Sequence, residues 1–327
     1  MNARFRISTP ETLSDVIDRA YAQGPLGDLE PEALAPLAGR GGITASPPWA
    51  WFRDLVVGTN ADGGHTVAGT TPFVSAQQTL QGFSVVVDAG VTVTSVGPGT
   101  AHIAVAATPA VHEWVAEGVA DSSTAPTFSE PVALVPHSLR VTVNASRRLL
   151  KMSPVAEKMA IAELLLAFGR ALDAAVLGAG GGAVPVGLAG TDGRITQSGT
   201  TLSWDTLMGV ETDVLEAGAR IERLRYITTP AVRELLTVRP RDSADTFVIE
   251  GDKIGAIPVA YSNEAPSGAA FLGDWSLAHV AFYGGRPALL VNPFKSVTSG
   301  LVELSLHGEV GIGFPVPGAF AHIDSIT

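Results

Sequence analysis

The sequence predicts an α+β fold on three observations. From Phe73 onward the chain becomes rich in Val, Thr and Ala with period-two alternation, as in Val91-Thr-Val-Thr-Ser-Val96, the pattern of half-buried strands. Between Pro154 and Leu177 helical periodicity runs without a break. Strands and helices nowhere alternate in a regular βαβ rhythm, which sets aside a doubly wound parallel sheet.

In chain order, Ser8-Thr-Pro10-Glu11 reads as a capping box with Pro in the first turn. Leu13, Val16, Ile17, Ala20 and Tyr21 then repeat at helical spacing until Gly24-Pro25 ends the helix. Pro, Gly and an aromatic run, Pro47-Pro48-Trp49-Ala50-Trp51-Phe52, punctuate the chain as far as Gly64. Residues 1–70 therefore read as an arm, with too little periodic apolar sequence to close a core of their own.

Residues 54–139 contain no Lys or Arg. Within and just beyond them, 101–120 and 127–146 read as two extended runs flanking a polar turn. At about 3.3 Å per residue, each run could reach on the order of 60 Å, more than the width of a domain of this size. A ribbon of that length needs something beyond its own domain to pack against. Its second run alternates Leu139, Val141 and Val143 with Arg140, Thr142 and Asn144.

Ser153 is the expected N-cap of the long helix, Pro154 sits where a missing amide costs nothing, and Gly178 is expected at the C′ position. The predicted apolar face carries Met159, Leu164, Leu165, Leu166, Phe168, Leu172 and Val176. A second helix is expected from Ser203-Trp204 to about Ala217, followed by a strand, Arg225–Thr228, and a helix beginning at Pro230. After Gly255-Ala-Ile-Pro258-Val the chain reads as β-rich, with Leu289–Val291 and Leu301–Leu306 the clearest strands.

Composition bounds the function. At 46% hydrophobic and 16% charged residues, the chain has enough apolar material to offset chain entropy and fold. The formal net charge of −11, with basic residues forming no stripe, argues against tight nucleic-acid binding, although an acidic wall is compatible with enclosed, mobile DNA. The absence of Cys excludes disulfides, thiolate metal sites and a Cys nucleophile. The basic N-terminus lacks an apolar stretch behind it, so it is not a secretory signal. Glu163, Arg170 and Asp173 interrupt the richest apolar stretch, Met159–Val176, which argues against a membrane span. The expected site of synthesis and use is a cytoplasm.

Motifs for chemistry are weak. Gly178-Ala-Gly180-Gly-Gly-Ala183 has dinucleotide-binding spacing, but it follows a helix C-terminus, where the dipole disfavours phosphate; a close-packed exit loop fits better. The seven His show no metal-ligand spacing. Glu113, Glu117, Asp121 and Glu130 crowd the hairpin and read as a solvated acidic edge or as partners for another subunit's arginines. No enzyme activity, cofactor or metal is expected.

Several fragments, in their order and spacing, resemble the major capsid proteins of tailed bacteriophages, which share the Hong Kong 97 fold. They are Trp114-Val115-Ala116-Glu117-Gly118, the tip Asp121 to Thr127, Phe128-Ser129, Ser146-Arg147, the helix at 154–177 and the exit Gly178 to Gly187-Leu188. Ile227-Thr-Thr-Pro230, Ile257-Pro258-Val259, Gly273-Asp274-Trp275-Ser276 and Pro317-Gly-Ala319-Phe320 extend the likeness over about residues 71–325. The resemblance implies an N-terminal arm at 1–70, a P-domain strand segment at 71–100 and an extended hairpin, the E-loop, at 101–146. The P-domain spine helix and exit loop follow at 147–189, then an A-domain at 190–290 and P-domain C-terminal strands at 291–327.

That resemblance also implies self-assembly through pentamers and hexamers into an icosahedral shell around double-stranded DNA, in a virion assembled in the host cytoplasm. Portal, scaffold and decoration proteins are further candidate partners. Trp114, Glu117, Phe128, Arg140, Arg147 and Arg148 are the expected subunit-interface residues, with an intrachain core as the other reading of the two aromatics. Some family members weld subunits through a Lys on the E-loop, but the four lysines here, 151, 158, 253 and 295, lie outside it. An uncross-linked shell is therefore expected. An encapsulin-type compartment and a gene-transfer-agent capsid are the alternatives within the fold, and a cytosolic hydrolase or binding domain is the alternative outside it.

Overall fold

The computed structural model describes residues 43–45, 80, 82–97, 99, 101–104, 106–108, 127–128, 131–200, 202–241, 246–296 and 299–327. The predicted helix at 8–21, the aromatic run at 47–52 and the tip of the hairpin lie outside the described residues. Helices and sheets are both present, as the α+β expectation requires. The chain divides into two units. One comprises residues 1–84, 138–171 and 285–309; the other comprises 85–137, 172–284 and 310–327.

In the first unit, strands pair in the order Ile43–Ala45, His279–Ser296, Leu301–Gly313, His137–Ser146, the two long strands continuing into the second unit. Ile43–Ala45 runs antiparallel to Leu289–Val291, so this stretch of the expected arm is a sheet strand. The 137–146 strand keeps the alternation read from its sequence, with Leu139, Val141 and Val143 half-buried and Arg140, Thr142 and Asn144 exposed. Ser146 leads into α1 (Arg147–Met152), a helix the sequence reading missed, and one extended residue, Ser153, separates α1 from α2 (Pro154–Leu177). The Ser153 hydroxyl accepts from the Ala156 amide at 3.3 Å, the expected N-cap.

The buried face of α2 carries Ile161, Leu164, Leu165 and Phe168 in this unit, and Leu172, Val176 and Leu177 in the other. Met159, expected on that face, is exposed, so burial begins two residues later, at Ile161. Gly169 has no room for a side chain, because a Cβ there would lie 2.1 Å from the Phe83 carbonyl oxygen.

The second unit is built on a seven-stranded sheet. Its order is Ile249–Glu250, Lys253–Ile254, Ile257–Tyr261, Leu224–Thr228, Ala270–Asp274, Phe320–Asp324, Ile195–Ser198. Ala270–Asp274 is buried on both faces, as a central strand should be. Two helices bury Leu207, Val210 and Val214, and Val232 and Leu236: α3 (Trp204–Glu216), capped by Ser203, and α4 (Pro230–Val238), capped by Thr229. Trp275 and Phe314 each meet Phe320 edge-on, at 5.7 and 5.4 Å between ring centres. The closing strand Phe320–Asp324, expected among P-domain strands, thus pairs in the sheet built from 195–274, because Phe320 fills the space that Gly273 leaves opposite it.

Two further readings change in this unit. Val85–Ala89, expected to be strand, is a short helix. The buried Asp173 carboxylate accepts from the Val85 and Val86 amides at 2.9 and 3.1 Å, and Val86 and Val87 are buried, which overrides the β preference of three consecutive valines. The hairpin also differs. Ala101–Ile103 pairs with Val132–Leu134, and Ala106–Thr108 with Thr127–Phe128, but 137–146 belongs to the other sheet. Pro136, which lacks an amide donor, sits at the change of partner.

The glycine-rich exit is close-packed, as expected. Cβ atoms at Gly180, Gly187 and Gly190 would fall 2.0–2.2 Å from backbone oxygens of Pro185, Ala175 and Ala179. Left-handed geometry comes at Gly180–Gly182 rather than at Gly178, whose amide still donates to Ala174 at 2.9 Å.

Candidate functional site

For a protein expected to work by self-association, the site is its surface and the devices that hold that surface in shape. The hairpin root is the first such device. Tyr283 reaches both of its strands: the hydroxyl accepts from the Ala101 amide at 3.2 Å and donates to the Leu134 carbonyl. Leu134 is buried, and Gly311 and Gly313 leave room for it, since a Cβ at either would fall 2.4–3.2 Å from its side chain. The root is therefore fixed by polar and apolar contacts together. Trp114 and Glu117 lie outside the described residues. Phe128 ends a two-residue strand opposite Ala106.

The second device joins the 137–146 and 301–313 strands within the first unit. Arg140 Nη2 lies 3.0 Å from Glu303 Oε1, and its Nε donates to the Thr142 hydroxyl at 3.2 Å. Thr142 and Ser305 hydroxyls meet at 3.1 Å, and the Ser138 hydroxyl donates to Glu309 at 2.6 Å. Glu303 is only 3% exposed, whereas Arg140 is 49% exposed. Burying a carboxylate is unfavourable without a cation or donors, so Arg140 holds a charge that the sheet would otherwise exclude. The sequence reading assigned Arg140 to a neighbour's carboxylate; its partner in this fold is its own chain's Glu303.

Arg147 opens α1, with its amide donating to the Gly300 carbonyl at 3.0 Å, and Arg148 follows it, exposed. Arg140 thus lies within the 137–146 strand, and Arg147 and Arg148 in the helix that follows it, all in the first unit. Glu303 and Tyr283 were missed by sequence reasoning. Glu303 carried a signal, since Val302-Glu-Leu-Ser-Leu306 alternates polar and apolar residues, as the Arg140 strand does. Tyr283 carried none.

In the second unit, Arg233 and Tyr261 converge on Asp252. Arg233 Nη2 and the Tyr261 hydroxyl each donate to Asp252 Oδ1 at 2.9 Å, and the guanidinium lies 5.0 Å from the centre of the Tyr261 ring. The Tyr261 hydrogen bond, then that of Arg233, hold the Asp252 carboxyl below its ordinary range. This cluster fixes an exposed turn. Deeper in the same unit, Tyr226 donates to Glu211 at 3.0 Å, and burial raises the pKa of both. Among the described residues no group of His, Asp and Glu is arranged to hold a metal ion. No helix among them is long and apolar enough to cross a membrane.

Comparison with known proteins defines the class first. The fold is that of phage-type capsid subunits. It matches the capsid of an empty GTA particle computed with C5 symmetry at a TM-score of 0.60 and 16% identity, over 85% of this chain and 98% of that one. A chain from Mycobacterium phage Adephagia matches at 0.56 and 18%, over 92% and 99%, and one from Microbacterium phage Oxtober96 at 0.55 and 18%, over 84% and 98%. No curated protein matches the chain. A model of the phage capsid family matches residues 70–280, and the chain belongs to that family.

Proposed function

We propose that this capsid protein is the major shell subunit of a phage particle, assembling through five- and six-fold clusters into an icosahedral shell that encloses double-stranded DNA. The observation that carries the proposal is the family match over residues 70–280, together with structural likeness over most of the chain and nearly all of each relative. In this reading the hairpin rooted at Tyr283 is the E-loop and α2 is the spine. The seven-stranded unit is the A-domain that meets its copies around symmetry axes. Trp114, Glu117, Phe128, Arg147 and Arg148 serve contacts between subunits, while Arg140 shapes the strand beside them.

Assembly of this kind sums many modest contacts. Interfaces on the order of 1,600 Å² each become stable through symmetry and the high effective concentration within a partly closed shell. A net charge of −11 suits a container that leaves its DNA mobile, since a like-charged wall repels the polymer. With no lysine in residues 101–146, the shell holds without isopeptide bonds. Scaffold, portal and decoration proteins remain the candidate partners of such a shell.

Negative-stain electron microscopy of the protein expressed alone, with its hydrodynamic size, tests the proposal. Closed shells or rings of five or six are the expected result. A strict monomer at all concentrations, even with a scaffold protein co-expressed, would refute it. The likeness to GTA capsids supports a gene-transfer particle as a second reading. Sequencing DNA from purified particles separates the two: one uniform genome marks a phage, and mixed host fragments mark a gene-transfer particle.

A further inference from the structure

The start of the long helical stretch presents apolar side chains to solvent. Leu149, Met152, Val155 and Met159 are 53%, 70%, 64% and 67% exposed. Leu149 and Met152, three apart, share a face of α1; Val155 and Met159, four apart, share a face of α2; the two helices are joined through Ser153 alone. Of the eleven exposed large apolar residues among those described, four thus fall within eleven consecutive positions. Such concentration marks a surface that is covered in use, whereas scattered exposed residues need no explanation.

The flanking charge identifies the kind of cover. Arg147 to Met159 contains Arg147, Arg148, Lys151 and Lys158 against Glu157 alone, in a chain whose net charge is −11. Two of its four lysines lie in these thirteen residues. The complementary element is an acidic amphipathic helix. The sequence predicts one outside the described residues: the segment from Ser8 to Tyr21 has Leu13, Val16, Ile17 and Ala20 at helical spacing, with Glu11, Asp15 and Asp18 beside them against Arg19 alone.

We propose that the N-terminal segment Ser8–Tyr21 of this chain docks as a helix on the apolar surface of Leu149, Met152, Val155 and Met159, with its acidic side chains facing Arg148 and Lys158. The tether permits it. Ile43–Ala45 is held in the first unit beside Leu289–Val291, in the sheet whose 137–146 strand leads directly into α1. Three strand spacings of about 4.8 Å separate the edges of that sheet. The twenty-one residues between Tyr21 and Ile43 can extend to about 70 Å. Attachment at this range keeps the segment at a high effective concentration, so docking within one subunit precedes contact with any other molecule.

Methionine footprinting of the unassembled full-length subunit with dilute peroxide tests this proposal. Met152 and Met159 report on the surface, and half-buried Met208 in α3 is the internal reference. In Leu13→Asp/Ile17→Asp, oxidation of Met152 and Met159 is expected to accelerate at least threefold relative to Met208. Asp15→Lys/Asp18→Lys should give the same change, reversed when combined with Arg148→Glu/Lys158→Glu, and this set decides the question if the first variant fails to fold. Equal oxidation rates in wild type and both variants would overturn the proposal. So would protection seen only in assembled particles and unchanged by the N-terminal substitutions, which would assign the cover to a second copy. Either failure leaves the shell-subunit function standing, since particle formation is read separately.

Discussion

Replacing Arg140 with Ala separates a structural role from an interface role. Removing one partner from a fully buried ion pair costs about 3–5 kcal/mol. Arg140 is half-exposed, so solvent already screens part of its attraction for Glu303, and a Ser305 hydroxyl lies 3.5 Å from the same carboxylate oxygen. A cost of about 2 kcal/mol follows, or about 3 °C in Tm for a protein of this size. Thermal and urea unfolding of the unassembled subunit, followed by circular dichroism, measures it. Arg140→Ala combined with Glu303→Gln should cost less than the sum of the single changes by at least 1 kcal/mol, because the neutral amide no longer needs the cation. If Arg140→Ala unfolds like wild type and only particle formation suffers, Arg140 belongs to a neighbour after all, and the account of Glu303 fails.

Three further outcomes are expected. Gly169→Ala, which helix propensity alone would make stabilising by about 1 kcal/mol, should destabilise by about 1–2 kcal/mol, because its Cβ meets the Phe83 carbonyl at 2.1 Å; a raised urea midpoint would show the contact to be soft. His322 stacks on Phe271 at 4.8 Å, and burial, then Arg194, lower its pKa below the usual 6.5. The unfolded chain then takes up that proton at higher pH than the folded chain, so this contribution to stability is complete above about pH 6.5 and is lost as pH falls toward the folded-state pKa. His322→Leu should flatten that decline, and an unchanged slope of stability between pH 6.5 and 5 would count against it. Finally, boiled and denatured particles should run as single 33.7 kDa chains, whereas a ladder of covalent multimers would require a cross-link that no lysine in residues 101–146 can supply.

Local signals carried much of the fold. Pro154 and Leu177 bound the long helix as its periodicity requires, and Ser203 and Thr229 cap the helices they precede, because capping and periodicity act over a few residues. What stayed illegible depends on distant partners. Val85–Ala89 is helical because Asp173, 88 residues away from Val85, accepts its first amides. The strand after Pro136 leaves the hairpin for another sheet, although its alternation was plain. Arg140 read as an available cation because the carboxylate it serves lies 163 residues downstream. Alternation says which side chains share a face and is silent on what that face meets.

The pairing of Phe320–Asp324 with Ala270–Asp274 and Ile195–Ser198 also sets the timing of folding during synthesis. At about 5–20 residues per second, a ribosome needs on the order of 20–60 s to reach the Phe320–Asp324 strand. Ala270–Asp274, made late in that time, waits about 2–10 s more for one of its two neighbours, and Gly273 for the ring that packs on it. The first unit likewise needs 285–309 before its sheet can close. Neither unit closes its sheet until these late strands have been made. Emergence of Phe320–Asp324 then becomes the event that completes the seven-stranded sheet.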